Sequence, residues 1–310
     1  LDQSTGAYTS ILSGVGDTGT RWHAAELQNV VMFTNNHNAV YEYEVTSALG
    51  TQATETDDLK NDLNVSAAAV IVSYNGFMIV ANVIQNTVRQ SSRIIWSDLD
   101  LPTKFTSTIP VVITDSISGF QDFDYGDDIL AAAPLLGALY IFTRRSIWRM
   151  MPSGDVLSVF TFTKVYTEPK NQTGCIAYPN TLVSDGQDLW YMGRDGIYRY
   201  NPYIPFPVRD EWLHRCDGLI FLNNGQQLDP SYCLAPIAEF RPTTREIWIS
   251  WPDVTASGVN NWTLVAQIEQ KTADVVDHGF TALVNFRLTS ESAEECNETQ
   301  FFLGMSGTDW

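Results

Sequence analysis

LYIFTRRSIWRM, from Leu139 to Met150, and LWYMGRDGIYRY, from Leu189 to Tyr200, are two writings of one twelve-residue pattern. Laid over each other without a gap they match Leu139 with Leu189, Arg144 with Arg194, Ile147 with Ile197 and Arg149 with Arg199. They also pair Tyr140 with Trp190 and Trp148 with Tyr198. In each copy β-branched and aromatic residues flank a short polar centre, which is the pattern of strand, turn and strand, and Asp195-Gly196 is a strong tight-hairpin signal. A hairpin alone is marginal in water, so one repeated at a spacing of fifty residues has to bury its rings against neighbouring copies. The chain reads as a repeat protein made of strands.

Weaker echoes carry the pattern outward. VVMFTNNHNAVYEYEV, Val30 to Val45, has the same strand, turn and aromatic return with a longer turn. AVIVSYNGFMIVANV, Ala69 to Val83, sets Asn75-Gly76 between two apolar runs, the strongest short-range hairpin signal. REIWISWPDV, Arg245 to Val254, adds an aromatic strand ended by Pro252, and FFLGMSGTDW, Phe301 to Trp310, closes the chain in the same style. A strand-built repeat of about 40 to 50 residues is the length of a four-stranded propeller blade. The expected fold is therefore all-β: one β-propeller domain over residues 1–310, of about six four-stranded blades, with extra loops or a small accessory region. Two unrelated hairpins in a β-sandwich form the competing reading, against which the aligned Leu, Arg, Ile and Arg positions count.

The remaining segments read as connections. Residues 1–19 are small and polar with four glycines, an extended arm or loop. TRWHAAELQ, Thr20 to Gln28, suits a single helical turn, and the acidic stretch from Thr51 to Asn64 suits a long connection. NPYIPFPVRDEWLHR, Asn201 to Arg215, carries Pro202, Pro205 and Pro207, which forbid a central strand and place it outside the sheet ladder. The chain starts at Leu1 without a signal peptide, as a processed chain or the ordered part of a longer one would.

Composition narrows the function classes. Hydrophobic residues make up 44% and charged residues 17%, enough apolar surface for a large core, and no apolar run reaches the roughly 18 residues of a membrane helix. Acidic residues outnumber basic ones 36 to 18, a net charge of −18, without a basic run or tail, so phosphate-backbone binding is not expected. Such charge either keeps an aromatic-rich protein soluble or lines a channel that DNA passes without adhering.

The chemistry-bearing residues do not converge. Cys175, Cys216, Cys233 and Cys296 show no metal-clip or redox spacing and read as free thiols. His23, His37, His214 and His278 are isolated, and neither HExxH nor GxSxG is present. The sequons at Asn64, Asn171, Asn261 and Asn297 suit a glycoprotein, but that number arises by chance in a chain rich in Asn, Ser and Thr. Asp122, Asp124, Asp127 and Asp128 resemble a calcium loop but fail the EF-hand test, since Gly126 comes one position early and Ala133 stands where Glu is needed. SDGQDLW, Ser184 to Trp190, has the letters of a sialidase box at the wrong spacing. Accordingly no catalytic, cofactor-binding or metal-binding residue is assigned, and no enzymatic activity is expected.

The series RIIWSDLDLPTKF at Arg93, GDDILAAAPLLGALYIFTRRSIWRM at Gly126 and GCIAYPNTLVSDGQDLWYMGRDGIYRYNPY at Gly174 resembles β-propeller tail proteins of tailed bacteriophages. The match covers about Arg93 to Val208 and, more loosely, Ala238 to Phe286, and it is one of motif order. Relatives of this kind include the nozzle or hub proteins of short-tailed phages, which sit below the portal and adaptor. The resemblance implies a structural virion component, assembled in the bacterial host cytoplasm, that forms a ring with copies of itself. Other tail proteins (adaptor, fibre or spike, needle) would adjoin it, genomic DNA would pass through during ejection, and no catalytic residues carry over. A carbohydrate-binding or carbohydrate-active propeller recognising a host glycan is the alternative expectation, because exposed rings can stack on sugars.

Overall fold

The structure, a computed structural model, describes residues 21–48, 51–106, 116–124, 126–155, 158–169, 174–221, 227–287 and 299–305, and no side chain of 281–287 or 299–305. The chain is all-β and of the β-propeller type, built of antiparallel blades in which each strand pairs with the next in sequence. The first sheet comprises β1 (His23–Leu27), β2 (Val30–Thr34), β3 (Tyr41–Glu44) and β4 (Thr54–Glu55). The second comprises β5 (Val65–Tyr74), β6 (Phe77–Gln85), β7 (Val88–Trp96) and β8 (Gly119–Asp122), and the third β9 (Ile129–Leu135), β10 (Ala138–Thr143), β11 (Ser146–Asp155) and β12 (Ser158–Thr167). The fourth has three strands, β13 (Val183–Ser184), β14 (Leu189–Met192) and β15 (Ile197–Tyr200). β16 (Ile237–Arg241), β17 (Glu246–Trp251), β18 (Trp262–Gln267) and β19 (Thr272–Val276) make the fifth, and β20 (Phe280–Arg287) pairs with β21 (Thr299–Met305) alone.

Among the described residues there are thus five blades, four of four strands and one of three, where about six of four were expected. The difference lies in the length given to connections: the described residues of 98–118, 168–182 and 201–236 hold no strand. The helix expected over Thr20 to Gln28 is replaced by strand β1, whose partner β2 supplies an antiparallel ladder from His23↔Thr34 to Leu27↔Val30. The connection expected over Thr51 to Asn64 contains the short edge strand β4 and a single π-helical turn, Asp58–Asp62, which buries Leu59. Residues 1–19 lie outside the described residues.

The repeat read from the sequence has a structural counterpart. β10–β11 and β14–β15 each form the second and third strands of their sheets, so Leu139–Met150 and Leu189–Tyr200 are equivalent hairpins in consecutive blades. β2–β3 stands at the same place in the first sheet. Every residue of β10 and of β14 is buried, whereas the edge strands β1 and β19 alternate between half-buried and exposed. A second strand therefore reads as an unbroken apolar run, covered on both faces, and an edge strand as an alternating one. At the Asn75-Gly76 turn both residues have positive φ, 50° and 80°, as the expected two-residue hairpin requires.

The chain divides into two compact units, residues 1–132, 141–144 and 148–163 in the first and 133–140, 145–147 and 164–310 in the second. The first centres on Met32, Leu59, Ala68, Met78, Val80 and Phe105. In the second, Trp190, Met192, Ile197, Ile220, Ile249, Trp251 and Leu264 form the core, so the GRDGIY hairpin lies at its centre.

Candidate functional site

The fourth sheet stops one strand short, and what takes the place of that strand is the Pro-rich segment. From Asn201 the chain runs outward in turns, then returns so that Val208 bridges Arg199 with a reciprocal pair of backbone hydrogen bonds, each 2.8 Å. Two residues further back, Ile197 N–H donates to Asp217 Oδ1 at 3.0 Å. The outward-facing donors of β15 are therefore met by one backbone bridge and one carboxylate, and prolines fill the interval, which protects the edge from pairing with another chain. As expected, the segment lies outside the ladder. Its outer side presents Tyr203 at 84% and Phe206 at 56% exposure.

Two arginines lock this edge. Arg209 bonds Asp217 Oδ2 at 2.8 Å through Nη2 and Asp195 Oδ2 at 3.1 Å through Nη1. Burial works against the Arg209 charge, but the two carboxylates outweigh it and raise its pKa. Arg199 bonds Asp210 Oδ2 at 2.8 Å and Asp188 Oδ1 at 3.3 Å, and the bond to Asp210 is the main reason its pKa is raised. Asp217 sits buried on α1 (His214–Phe221), a helix the sequence reading did not anticipate, so the ion pair joins helix to hairpin.

The glycines of GRDG serve this lock, and here the sequence expectation is corrected. The loop between β14 and β15 spans four residues, 193–196, closed by Gly193 N–H to Gly196 C=O at 2.9 Å, and neither glycine has positive φ. Their role is space. A Cβ at 193 would stand 2.6 Å from the Tyr198 ring, and one at 196 would stand 2.5 Å from Arg209 Nε. Tyr198 also donates its hydroxyl to Asp195 Oδ1 at 2.8 Å and stacks on Tyr191 at 5.9 Å.

A second device recurs at the strand ends. Asp185 Oδ1 accepts from the backbone of Gln187 and Asp188 while Oδ2 accepts from Trp190 Nε1 at 3.1 Å. Asp253 repeats the scheme, with Oδ1 taking both Thr255 donors and Oδ2 taking Trp262 Nε1 at 3.0 Å. Burial alone would raise the Asp253 pKa, but the bonds from Thr255, Trp262 and Asn261 prevail and bring it to about 2. Asp98 uses Oδ1 alone, gathering Ser116 Oγ and the backbone of Ile117 and Ser118. Each carboxylate folds a polar loop back onto the strand it leaves.

The residues singled out from sequence are scattered, and those of the acidic stretch are occupied. Asp122 is held in a bidentate pair by Arg93, Asp128 pairs with Arg144 at 2.8 Å, and Asp127 N–H donates to Asp124 C=O at 3.1 Å. Among the described residues no three of His, Cys, Asp and Glu are grouped as metal ligands. His23 lies in β1, His37 follows β2, His214 opens α1 and His278 precedes β20. Cys175 and Cys216 are buried free thiols, the latter pushed up to about 11 by burial, Cys233 is an exposed one, and Cys296 lies outside the described residues. Asn64 is exposed beside β5, Asn261 Oδ1 accepts from Asp253 N–H at 2.9 Å, and Asn171 and Asn297 lie outside the described residues. What the sequence reading missed are Asp185, Asp217, Asp253 and α1. The signal available for two of them is an Asp in a polar turn that precedes the Trp of the next strand.

No family model matches the chain, and no curated protein matches it. Solved structures similar to it include the extracellular domain of a hybrid two-component system of B. thetaiotaomicron, at 13% identity and a TM-score of 0.45, with 85% of this chain and 28% of that one covered. Another is AztD from Citrobacter koseri, at 9% identity and a TM-score of 0.42 over 82% of this chain and 58% of that one. A chain of the mitotic checkpoint complex is similar at 11% identity and a TM-score of 0.48, with 90% and 77% covered. This chain thus spans less than two thirds of the length of the first two.

Proposed function

We propose that this chain is a non-catalytic structural subunit of a bacteriophage tail, of the nozzle or hub kind, contributing to a ring through which genomic DNA passes. One observation carries the reading: the residues of the motif series that resembles phage tail propellers are spent on framework. In the first motif Arg93 pairs with Asp122, Trp96 Nε1 donates to Ile117 C=O at 3.0 Å, and Asp98 ties its loop. In the second, Arg144 pairs with Asp128 and Trp148 stacks on Phe123 at 4.7 Å. In the third, Gly193, Gly196, Asp195 and Arg199 build the lock on the β15 edge. A part that must hold its shape under load has this use for its charges, since ion pairs between elements fix their register and orientation.

The function follows from charge and symmetry. Copies of the chain would close into a ring by repeating one head-to-tail interface, and carboxylates facing the axis would repel phosphate and offer the moving genome no binding sites. The net charge of −18 supports this. Adaptor, fibre or spike, and needle proteins would flank the ring. The test is cryo-electron microscopy of assembled particles: the chain is expected on the tail axis, in a closed ring with an acidic inner wall. A position off the axis, or a strongly basic inner wall, overturns the conduit reading. A hydrolase screen that found turnover of a host glycan would overturn the non-catalytic one.

A further inference from the structure

The fifth sheet carries an open cavity of about 460 Å³ on the outer half of its ladder, lined by Arg215 of α1, Val265 and Gln267 of β18, Gln270 and Lys271 of the turn, and the residues of β19 up to Asp274. Register places its floor: Gln267 is opposite Thr272 and Val265 opposite Asp274. The volume falls in the range of small-molecule sites, about 300–1,000 Å³, but the lining does not resemble a typical apolar pocket. Hydrogen-bonding groups dominate it.

Its charge is opposite to that of the protein around it. The neighbouring carboxylates are already engaged: Glu269 with Arg245, Glu246 with Arg241, Trp248 and Gln267, and Asp217 with Arg209. Arg215 and Lys271 have no ion-pair partner among the described residues, and both are exposed. Two cations and the single carboxylate of Asp274 leave this cavity net positive in a chain of net charge −18. Holding like charges in one concavity is unfavourable, and an anion placed between them relieves it. Gln267 is oriented by its Nε2 bond to Glu246 Oε1 at 3.0 Å, which leaves its carbonyl oxygen as an acceptor.

We infer that this cavity binds an acidic saccharide, a sugar ring bearing a carboxylate. Arg215 and Lys271 take the carboxylate, while Gln267, Gln270, Thr272 and Asp274 supply the mixed donors and acceptors that ring hydroxyls need. The inference is independent of the tail reading, because it concerns only the fifth sheet and α1.

Titration of the full chain by calorimetry or NMR, with D-glucuronate, D-glucose and inorganic sulfate as separate probes, tests it. Glucuronate is expected to bind at least tenfold more tightly than either of the others. Arg215→Gln and Lys271→Gln are each expected to weaken it by about tenfold, while Arg194→Gln, at the β14–β15 loop, leaves it unchanged. Because Arg215 and Lys271 are exposed, thermal denaturation of these variants should match that of the parent chain. Equal affinity for glucose would overturn the role of the cations, and equal affinity for sulfate would reduce the site to a simple oxyanion trap. No binding of glucuronate at millimolar concentration would overturn the inference altogether.

Discussion

The guanidinium of Arg209 occupies the space in which a Cβ on residue 196 would stand, with Nε 2.5 Å from that position, so the glycine at 196 and the arginine at 209 specify each other. An alanine at 196 has to displace a side chain that is tied to buried Asp217 at 2.8 Å. Removing one partner of a fully buried pair costs about 3–5 kcal/mol, and with the Arg209 side chain 33% exposed, Arg209→Gln is expected to cost about 2 kcal/mol. Gly196→Ala should cost a similar amount. Asp217→Asn, which keeps an acceptor for Ile197 N–H, should cost less in the Arg209→Gln background than alone. Urea denaturation of the four proteins provides the cycle, and strict additivity would show that the pair is not coupled.

Gly279 is more tightly constrained. A Cβ there would lie 1.7 Å from the carbonyl oxygen of Asn260, and that oxygen belongs to a residue whose amide bonds Ala235, Ser250 and Phe280 carbonyls. The obstacle is backbone, so it cannot swing aside. Gly279→Ala is expected to destabilise by about 3 kcal/mol, the upper end of overpacking effects. A loss below 0.5 kcal/mol in the same denaturation assay, roughly the scale of a surface change, would contradict the geometry.

Acid should act on the two units through different groups. His23 has its pKa lowered from 6.5 to about 4, chiefly by burial and secondly by Arg21. Below 6.5 the unfolded chain binds a proton that the folded chain refuses, so this group makes stability fall as pH drops from about 6.5 to about 4. Asp253 acts in the same direction in a lower pH window: its folded pKa of about 2 is below the ordinary 3.8, so its contribution is complete above 3.8 and is lost as pH falls toward 2. Stability measured against pH should lose its slope between 4 and 6.5 in His23→Gln. In Asp253→Asn the loss below pH 3.8 should be smaller than in the parent chain. An unchanged profile in either variant refutes the corresponding assignment.

The strands were legible in the sequence because a blade's second and third strands carry a strong pattern. β10 and β14 read as apolar runs, and Asn75-Gly76 reads as a turn, for reasons internal to each segment. The lock was not legible, since Asp217 and Ile197 meet only after α1 folds back, and nothing near either residue announces the other. Asp195-Gly196 reads as a tight-turn signal, whereas the bulk of Arg209 is the reason for Gly196 and that of Tyr198 the reason for Gly193. The β1 sequence favours a helical turn, because Ala24, Ala25, Glu26 and Leu27 favour helix, and the ladder with β2 overrides that preference.

Exposed rings on the Pro-rich segment should be energetically idle in the isolated chain. Tyr203→Ser and Phe206→Ser, at 84% and 56% exposure, are expected to change stability by less than about 0.5 kcal/mol. Melting temperatures shifted by several degrees would mean that these rings pack in a way their exposure does not suggest.

That segment has a further property. Asn201 ties its near end, donating to Asp188 Oδ1 at 2.7 Å, and accepts from the backbone of Tyr203 and Ile204 in a local turn, while residues 202–207 contribute nothing to any ladder. Doubling the length of such a loop costs only about 0.6 kcal/mol in closure entropy. It is therefore a natural splice point: a foreign peptide inserted after Ile204 would be displayed outward while Val208, Arg209 and Asp210 still anchor its far end. Where the other blades spend a fourth strand on closing the sheet, this one keeps a free length of chain that can be rewritten without touching the core.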